Sequence, residues 1–539
     1  MKLEKLIDAV QQGRIKDALL LAEDVDWLSV NQSAKDGELR ALTAISMSSE
    51  LLDYVGKLSE ARLRLQGIEK IAEEHIRNLV ENKIGLPPSM SSRRHLKRWV
   101  WVLMQAAIAH YRAMTLDRAR MLLDLCEKAV LDFVRTLPDY PCYGTLSRLN
   151  YSIGLVYREG FDYQNAKERF LMSIEFAWLS LRQKRESHPA GVFLPPFWTD
   201  LAIARAQALG LGFVYHSEGQ ADLALSVLLS AKNLLVRLDE KIISTYVDLI
   251  YFDARRSAFG GDAGIVDESI RGLLACRDVF VDLNHQLYRA RADYSLALAF
   301  SQRARQDESV PLSLRGQEDL RLATSYAGEL ADYGRNNDDW RALLNAQLCQ
   351  SRIQRKQNNF VLAEQLATQI IAATDMHPRL RVGALIARAE AFARQQKTEL
   401  AILDFQEAKE RSGSSLRTRA ICLLRLAEIY ARTKRAQLAT ECLDEWNKTS
   451  PIISNAYIRS LERTALVAVD NASEDFVIRM SDGDVRPKVL EDRLRKFMVE
   501  WAYRRIKKGD GDEAAAALLG VTRQTLLNWK KGPRNTVRQ

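Results

Sequence analysis

Five positions recur four times in one register along this chain, and they restrict what it can fold into more than any other feature. In the stretch "LNYSIGLVYREGFDYQNAKERFLMSIEFA", Gly154, Tyr157, Ala166, Phe170 and Ser173 stand at offsets 0, 3, 12, 16 and 19. Gly212, Tyr215, Ala224, Leu228 and Ala231 repeat those offsets, as do Ala389, Phe392, Ala401, Phe405 and Ala408. Ala427, Tyr430, Ala439, Leu443 and Trp446 give the fourth copy. Read on two consecutive helices, the pattern has a mechanical sense. A small residue in the first helix admits the second at close range, and an aromatic three positions on fills the groove beside it. The small residue opening the second helix permits a close crossing, and the large apolar one after it reaches the neighbouring pair. Amphipathic helical spacing continues from residue 1 to about 470, with 12 prolines in 539 residues, so the body is expected to be all-α.

The spacing resembles the tetratricopeptide repeat, which implies a TPR-like α-solenoid of antiparallel helix pairs over residues 1–470. Weaker copies carry Gly13 with Ala18 and Gly56 with Ala61, and "AIAHYRAMTLDRARMLLDLCEKA" and "RIQRKQNNFVLAEQLATQI" fit with one residue gained or lost. Two stretches interrupt the pattern: "HPAGVFLPPFWTD" (188–200), where consecutive prolines cannot sit inside a helix, and the irregular 303–340, where a longer inter-helix loop is expected. A solenoid of this kind implies an inner surface, formed mainly by first helices, that takes a protein or peptide partner or mediates self-association.

Other function classes find little support. Cys126, Cys142, Cys276, Cys349, Cys422 and Cys442 form no C-x-x-C pair and read as buried thiols, and the seven histidines make no metal-binding spacing. No nucleophile elbow, phosphate loop or paired carboxylates are present, so the chain reads as a non-enzyme without cofactor or metal. "FGGDAG" (259–264) lacks the Lys-Ser/Thr of a phosphate loop and reads as an inter-helix turn. "SSRRHLKRWVWVLMQ" (91–105) reads as a solvated helix start running into the core at Trp101 and Leu103, and "LRQKRES" (181–187) as a helix C-terminus. No apolar run approaches the ~20 residues of a membrane span, and the first twenty residues lack a signal-peptide core, so a cytoplasmic protein with no membrane partner is expected.

Charge separates the end of the chain from the rest. Residues 488–539 carry 13 Lys and Arg against 6 Asp and Glu, which is seven of the nine net positive charges. Such asymmetry points to a polyanionic partner for the tail. Between 471 and 488, "FVIRM" followed by "SDGD" reads as a linker or small β-hairpin. From 489 to 539 a small three-helix head is expected. Its leading helix would put Leu490, Leu494, Phe497, Met498 and Trp501 on one face, "GDGD" would close it, and Asp512 would cap the next helix. In "DEAAAALLGVTRQTLLNWKKG", Ala516 and Gly520 permit a tight helix-turn-helix, with Leu519, Val521, Leu526 and Trp529 completing its core. The last helix would then turn out Thr522, Arg523, Gln524, Leu527, Asn528 and Lys531, mostly side chains that suit base edges and phosphates.

This head resembles the Fis-type helix-turn-helix domain at the C-terminus of many bacterial regulators. The resemblance covers residues 489–532 and implies base reading by Thr522 and Arg523, with Thr525, Asn528 and Lys530 near phosphates. Leu527 and Trp529 depart from that family's basic close, and "RQTLLNW" is also similar to helix-turn-helix units of phage repressors and transposases. The implied function is a sequence-specific DNA-binding transcriptional regulator on double-stranded DNA, as a possible homodimer, whose repeats sense a protein or peptide. The alternative is a non-catalytic scaffold or adaptor whose C-terminal bundle docks to protein.

Overall fold

The computed structural model describes residues 2–11, 15–54, 57–81, 90–136, 142–187, 197–236, 241–260, 262–304, 313–374, 377–449, 455–473, 499, 503, 511–518 and 522–531. They divide into two compact units, Met1–Ala472 and Ser473–Gln539. Among the described residues all regular structure is helical, with no strand, and no helix is long and apolar enough to cross a membrane.

The first unit opens with α1 (Lys2–Gln11), α2 (Ile15–Glu23), α3 (Trp27–Lys35), α4 (Leu39–Tyr54), α5 (Leu58–Leu65) and α6 (Glu69–Glu81). Longer helices follow: α7 (Met90–Arg112), α8 (Leu116–Thr136), α9 (Tyr143–Glu159) and α10 (Tyr163–Ser187). Next come α11 (Phe197–Arg205), a π-helical segment (Ala206–Gly212), α12 (Phe213–Glu218) and α13 (Ala221–Val236). The array continues with α14 (Lys241–Ala258), α15 (Ala263–Asp282), α16 (Gln286–Ala304), α17 (Leu314–Asn336), α18 (Trp340–Lys356) and α19 (Phe360–Ala373). It closes with α20 (Pro378–Arg394), α21 (Thr398–Arg411), α22 (Leu416–Arg432), α23 (Ala436–Thr449) and α24 (Ala456–Ser473). Most consecutive helices pack against each other along this series, and the unit is a TPR-like α-solenoid of antiparallel pairs.

The repeated positions do the packing expected of them. Ala166, Ala224, Ala401 and Ala439 are wholly buried, as are Phe170, Leu228 and Trp446. A Cβ added at Gly154 would lie 2.7 Å from the Phe170 ring, and one at Gly210 would lie 2.6 Å from the same ring. Phe170 is therefore clamped between α9 and the π segment. A Cβ added at Gly212, two residues further on, would lie 3.1 Å from Leu228 of its own pair. The π segment thus offers one glycine to each neighbouring helix pair, and any side chain at Gly210 would overpack the site.

The turn inside each pair is also a repeat. The residue at offset 7 has positive φ in all four copies: Phe161 (60°), Gly219 (82°), Gln396 (62°) and Lys434 (59°). The following amide donates to the carbonyl of the offset-3 aromatic: Asp162 to Tyr157 at 3.0 Å, Gln220 to Tyr215 at 2.9 Å, Lys397 to Phe392 at 3.0 Å and Arg435 to Tyr430 at 2.8 Å. This is the six-to-one hydrogen bond of a Schellman turn, which satisfies a carbonyl the ending helix leaves over. Helix starts are satisfied in turn by Asp262, Ser313, Asp339 and Ser415, whose side chains accept from first-turn amides.

The array then returns on itself. The Ser414 amide donates to the Phe161 carbonyl at 3.0 Å, and the Tyr163 amide donates to the Ser414 hydroxyl at 2.7 Å. Gly413 (φ 52°) lies so close that an added Cβ would sit 3.0 Å from the Phe161 carbonyl oxygen. The Asn455 side-chain amide donates to Ser257 at 3.1 Å, and α12 packs against α22.

Several expectations need correcting. The last array helix runs to Ser473, and the rest of the linker or hairpin expected over 471–488 lies outside the described residues. Most of the irregular 303–340 is α17, started by the Ser313 cap, so an exposed charged face there had masked a regular helix. Phe197 to Asp200 belong to α11 instead of the interruption, while Gly13 and Gly56 lie outside the described residues. Trp101 is only half-buried, whereas Leu103 is in the core as expected; Phe259 and Gly260 turn the chain after α14, Asp262 caps α15 from Ala263 onward, and five cysteines are buried with Cys442 partly so. Substituting Gly210→Ala is expected to lower the thermal midpoint by an amount equivalent to about 1–3 kcal/mol, because the ring of Phe170 has no room to retreat. Differential scanning calorimetry of the variant beside wild type checks this.

Candidate functional site

The basic C-terminal unit contains α25 (Asp512–Leu518) and α26 (Arg523–Lys531), which pack against each other. Alanine content explains α25: Ala515 and Ala516 are buried, and their small side chains admit α26 at close range. The α25 start is closed by the Gly511 carbonyl, which accepts from the Ala514 amide at 3.1 Å. Asp512 is therefore the first helical residue and not the side-chain cap expected from sequence. Its carboxylate instead accepts from the Tyr503 hydroxyl and lies 3.4 Å from the Lys530 ammonium. That hydrogen bond from Tyr503, and then the Lys530 charge, hold the Asp512 carboxyl below its ordinary range.

The start of α26 is set by Thr522. Its hydroxyl accepts from the Thr525 amide at 3.2 Å and its carbonyl from the Leu526 amide at 3.0 Å. Leu526 is fully buried, which fixes the rotation of the helix about its axis. Thr522, Arg523 and Gln524 are exposed as a result, Thr525 and Leu527 half-buried, and Lys530 exposed. Arg523 lies 3.4 Å from Glu513 across the pair, both side chains being mostly in water, a pairing worth little and easily exchanged. Lys530 is more committed: its ammonium is 3.3 Å from the Tyr503 hydroxyl and 4.6 Å from the Tyr503 ring centroid. Lys530 thereby ties α26 to Tyr503 and Asp512 while its side chain stays half in water. Leu519, Gly520, Val521 and the side chains of Asn528, Trp529 and Lys531 lie outside the described residues, as does most of the leading helix. Of that helix, Val499 is buried and helical, and Tyr503 helical.

A second polar constellation lies in the repeat unit, and nothing in the sequence announced it. Glu159, at the end of α9, takes an Arg341 guanidinium N–H at 2.6 Å and stands 3.2 Å from Arg158 and 3.6 Å from Arg379. The Tyr111 hydroxyl donates to Glu159 at 3.2 Å and accepts from Arg158 at 2.8 Å. Arg158 also donates to the Leu209 carbonyl at 2.6 Å, in the π segment. The guanidinium carbons of Arg158 and Arg379 both stand 4.5 Å from the Phe213 ring centroid. Burial by itself would push the Glu159 carboxyl up, but Arg341, Arg379 and Arg158 hold it well below the usual carboxylate range. The charged and hydroxyl groups come from α7, α9, α18 and α20, with Leu209 of the π segment and Phe213 of α12 beside them, so the network joins the two stretches brought together by the Phe161–Ser414 contact. Their separations in sequence follow no motif, so spacing alone does not reveal them.

No family model matches the chain, and no curated protein matches it. Among solved structures it is similar to a Rap protein complexed with competence and sporulation factor, at 12% identity over 77% of this chain and 98% of that one, with a TM-score of 0.46. It is also similar to yeast Tom70, at 14% identity over 86% of this chain and 98% of that one, TM-score 0.35. A third is the Cut9–Hcn1 hetero-tetramer of APC/C, at 12% identity over 88% and 93%, TM-score 0.24. At these values no ligand or partner passes from those proteins to this chain.

Glu159→Gln leaves two buried guanidiniums and the partly exposed Arg379 without their shared carboxylate and is expected to cost about 3–5 kcal/mol at neutral pH. Because the folded carboxyl titrates below its unfolded value, the stability gap to wild type is full above about pH 5. It shrinks as the pH falls through the ordinary carboxylate range near about 4.3. Thermal midpoints of both proteins across pH 2–8 check magnitude and sign together.

Proposed function

We propose that this chain is a DNA-binding transcriptional regulator in which α26 reads the major groove and the repeat array binds a protein or peptide partner or mediates self-association. The observation that carries the reading is the placement of Thr522, Arg523 and Gln524, all exposed at the start of α26, in the segment that holds most of the chain's surplus positive charge. The first turn of a recognition helix is where base contacts are made in helix-turn-helix proteins. Buried Leu526 and the paired Ala515 and Ala516 supply the rigid support that such readout needs. A single head of this size gives limited affinity, so specific sites call for two heads about one helical turn apart and hence a dimer. On the array, Leu171 and Trp178 stand seven residues apart on α10 with 53% exposure each, which suits a protein contact.

The full chain is expected to bind duplex DNA with an affinity that falls steeply as salt rises. Arg523→Ala is expected to relax sequence preference by about 1–3 kcal/mol at one base position, measured by selection from a random duplex pool. If the full chain shifts no DNA at low salt, the regulator reading fails and the scaffold or adaptor reading, which needs only the array, takes its place. Lys530→Ala is expected to lower the thermal midpoint of the C-terminal unit, because it removes the contact to Asp512 and Tyr503.

A further inference from the structure

The seam at Glu159 holds more positive charge than its folding role requires. Three guanidiniums, Arg158, Arg341 and Arg379, converge on one carboxylate, and the side chains of Arg158, Arg341 and Glu159 are only 9%, 10% and 8% exposed. The Phe213 ring beside two of them carries no charge that could offset theirs. Burying uncompensated cations is costly, and folds generally keep such groups paired. Among the groups in direct contact here the cations exceed the carboxylates by two, and the next carboxylate, Asp117, lies near His377.

The hydrogen-bond inventory points the same way. Nε of Arg158 and Nη1 of Arg379 are buried with no hydrogen-bond partner among the described residues, and so is Nδ1 of His377, the residue preceding α20. The 3.6 Å from Arg379 Nη1 to Glu159 is an ion-pair distance and not a hydrogen bond. Buried polar groups left in this condition call for an explanation. Farther along the first helices, Arg256 and Arg425 also keep a buried Nε without a partner. The Arg379 side chain is 31% exposed, so the seam has an edge that solutes can reach.

We propose that this seam binds a phosphoryl group, as inorganic phosphate or as the phosphate monoester of a small molecule, and thereby clamps the two stretches of the array together. A dianion with several acceptor oxygens answers the surplus of two charges and accepts from guanidiniums arriving from three helices, which one carboxylate oxygen pair cannot do. Arg158 lies on α9 and Arg341 and Arg379 on α18 and α20, so an anion shared among them adds to the closure already made by Glu159. The site is separate from the C-terminal head, and its test involves no DNA, so the two readings stand or fall apart.

The test is thermal unfolding of the full chain in rising inorganic phosphate, with chloride adjusted to constant ionic strength, and in parallel with AMP and with malonate. Phosphate is expected to raise the midpoint by about 2 °C or more at saturating concentration. A response to AMP at concentrations at least tenfold lower assigns a monoester, and a phosphate response without that preference assigns the free ion. No rise beyond chloride alone overturns the proposal, and a rise with malonate equal to that with phosphate overturns the phosphoryl assignment. Arg379→Gln, with a helical circular dichroism spectrum like wild type, is expected to need at least tenfold more phosphate for the same shift. Should that variant misfold, Arg379→Lys, which keeps the charge and loses the planar fork, is expected to show the same weakening. An unchanged phosphate response in whichever variant folds overturns the proposal. Arg321→Gln, at an exposed pair with Glu318, serves as the variant expected to respond as wild type does.

Discussion

Close approach of paired helices at small residues is the constraint on which this molecule is built. At Gly154 and Gly210 the backbones come so near the Phe170 ring that a methyl group has no place, and Ala389 against Phe405 and Ala427 against Leu443 occupy the same offsets with slightly more bulk. Interiors packed at crystal-like density make such contacts all-or-none, so the spacing fixes how each pair sits. Because each pair buries its apolar faces mainly against its neighbours, one local contact repeated along the chain produces an extended array and not a single central core.

An array that extends can also meet itself, and here it does. The contact of Phe161 with Gly413 and Ser414 joins turns more than 250 residues apart, and the Glu159 network stands beside it. Each depends on a repeat feature used in an unusual way. Phe161 sits at the offset-7 turn position, its positive φ held by the Schellman hydrogen bond, and its carbonyl serves the distant Ser414. Glu159 and Arg158 end α9, where the turn brings them to the edge that faces α18 and α20. A local turn motif thereby sets a long-range closure, and the surplus of arginine at that closure gives the seam its chemical character.

The C-terminal unit follows a different logic. Its helices are short, and one buried leucine with two buried alanines makes the described contact between them. Polar ties do more of the work: Asp512 draws Tyr503 and Lys530 together, linking three segments, and Thr522 starts the last helix. The cations are thereby sorted into two kinds. Lys530 has two partners within its own unit, Asp512 and Tyr503, whereas Arg523 has the exposed Glu513.

By itself the sequence determined the helical class, the pairing of helices, the burial of the repeated alanines and large apolar residues, and the basic character of the tail. All of these follow from local spacing, which a chain cannot alter without losing its packing. It showed only part of the rest. The offset-7 turn was visible at Gly219 alone, because Phe161, Gln396 and Lys434 are held at positive φ by hydrogen bonds and packing and not by their own preference. The regular helix α17 was hidden by its charged outer face. Asp512 has the spacing of a cap, but the Gly511 carbonyl takes the first-turn amide and the Asp512 carboxylate takes the Tyr503 hydroxyl. Only the tertiary structure decided which arginines share Glu159, since Arg158, Arg341 and Arg379 become neighbours through the curvature accumulated over many helix pairs, a quantity that no single repeat encodes.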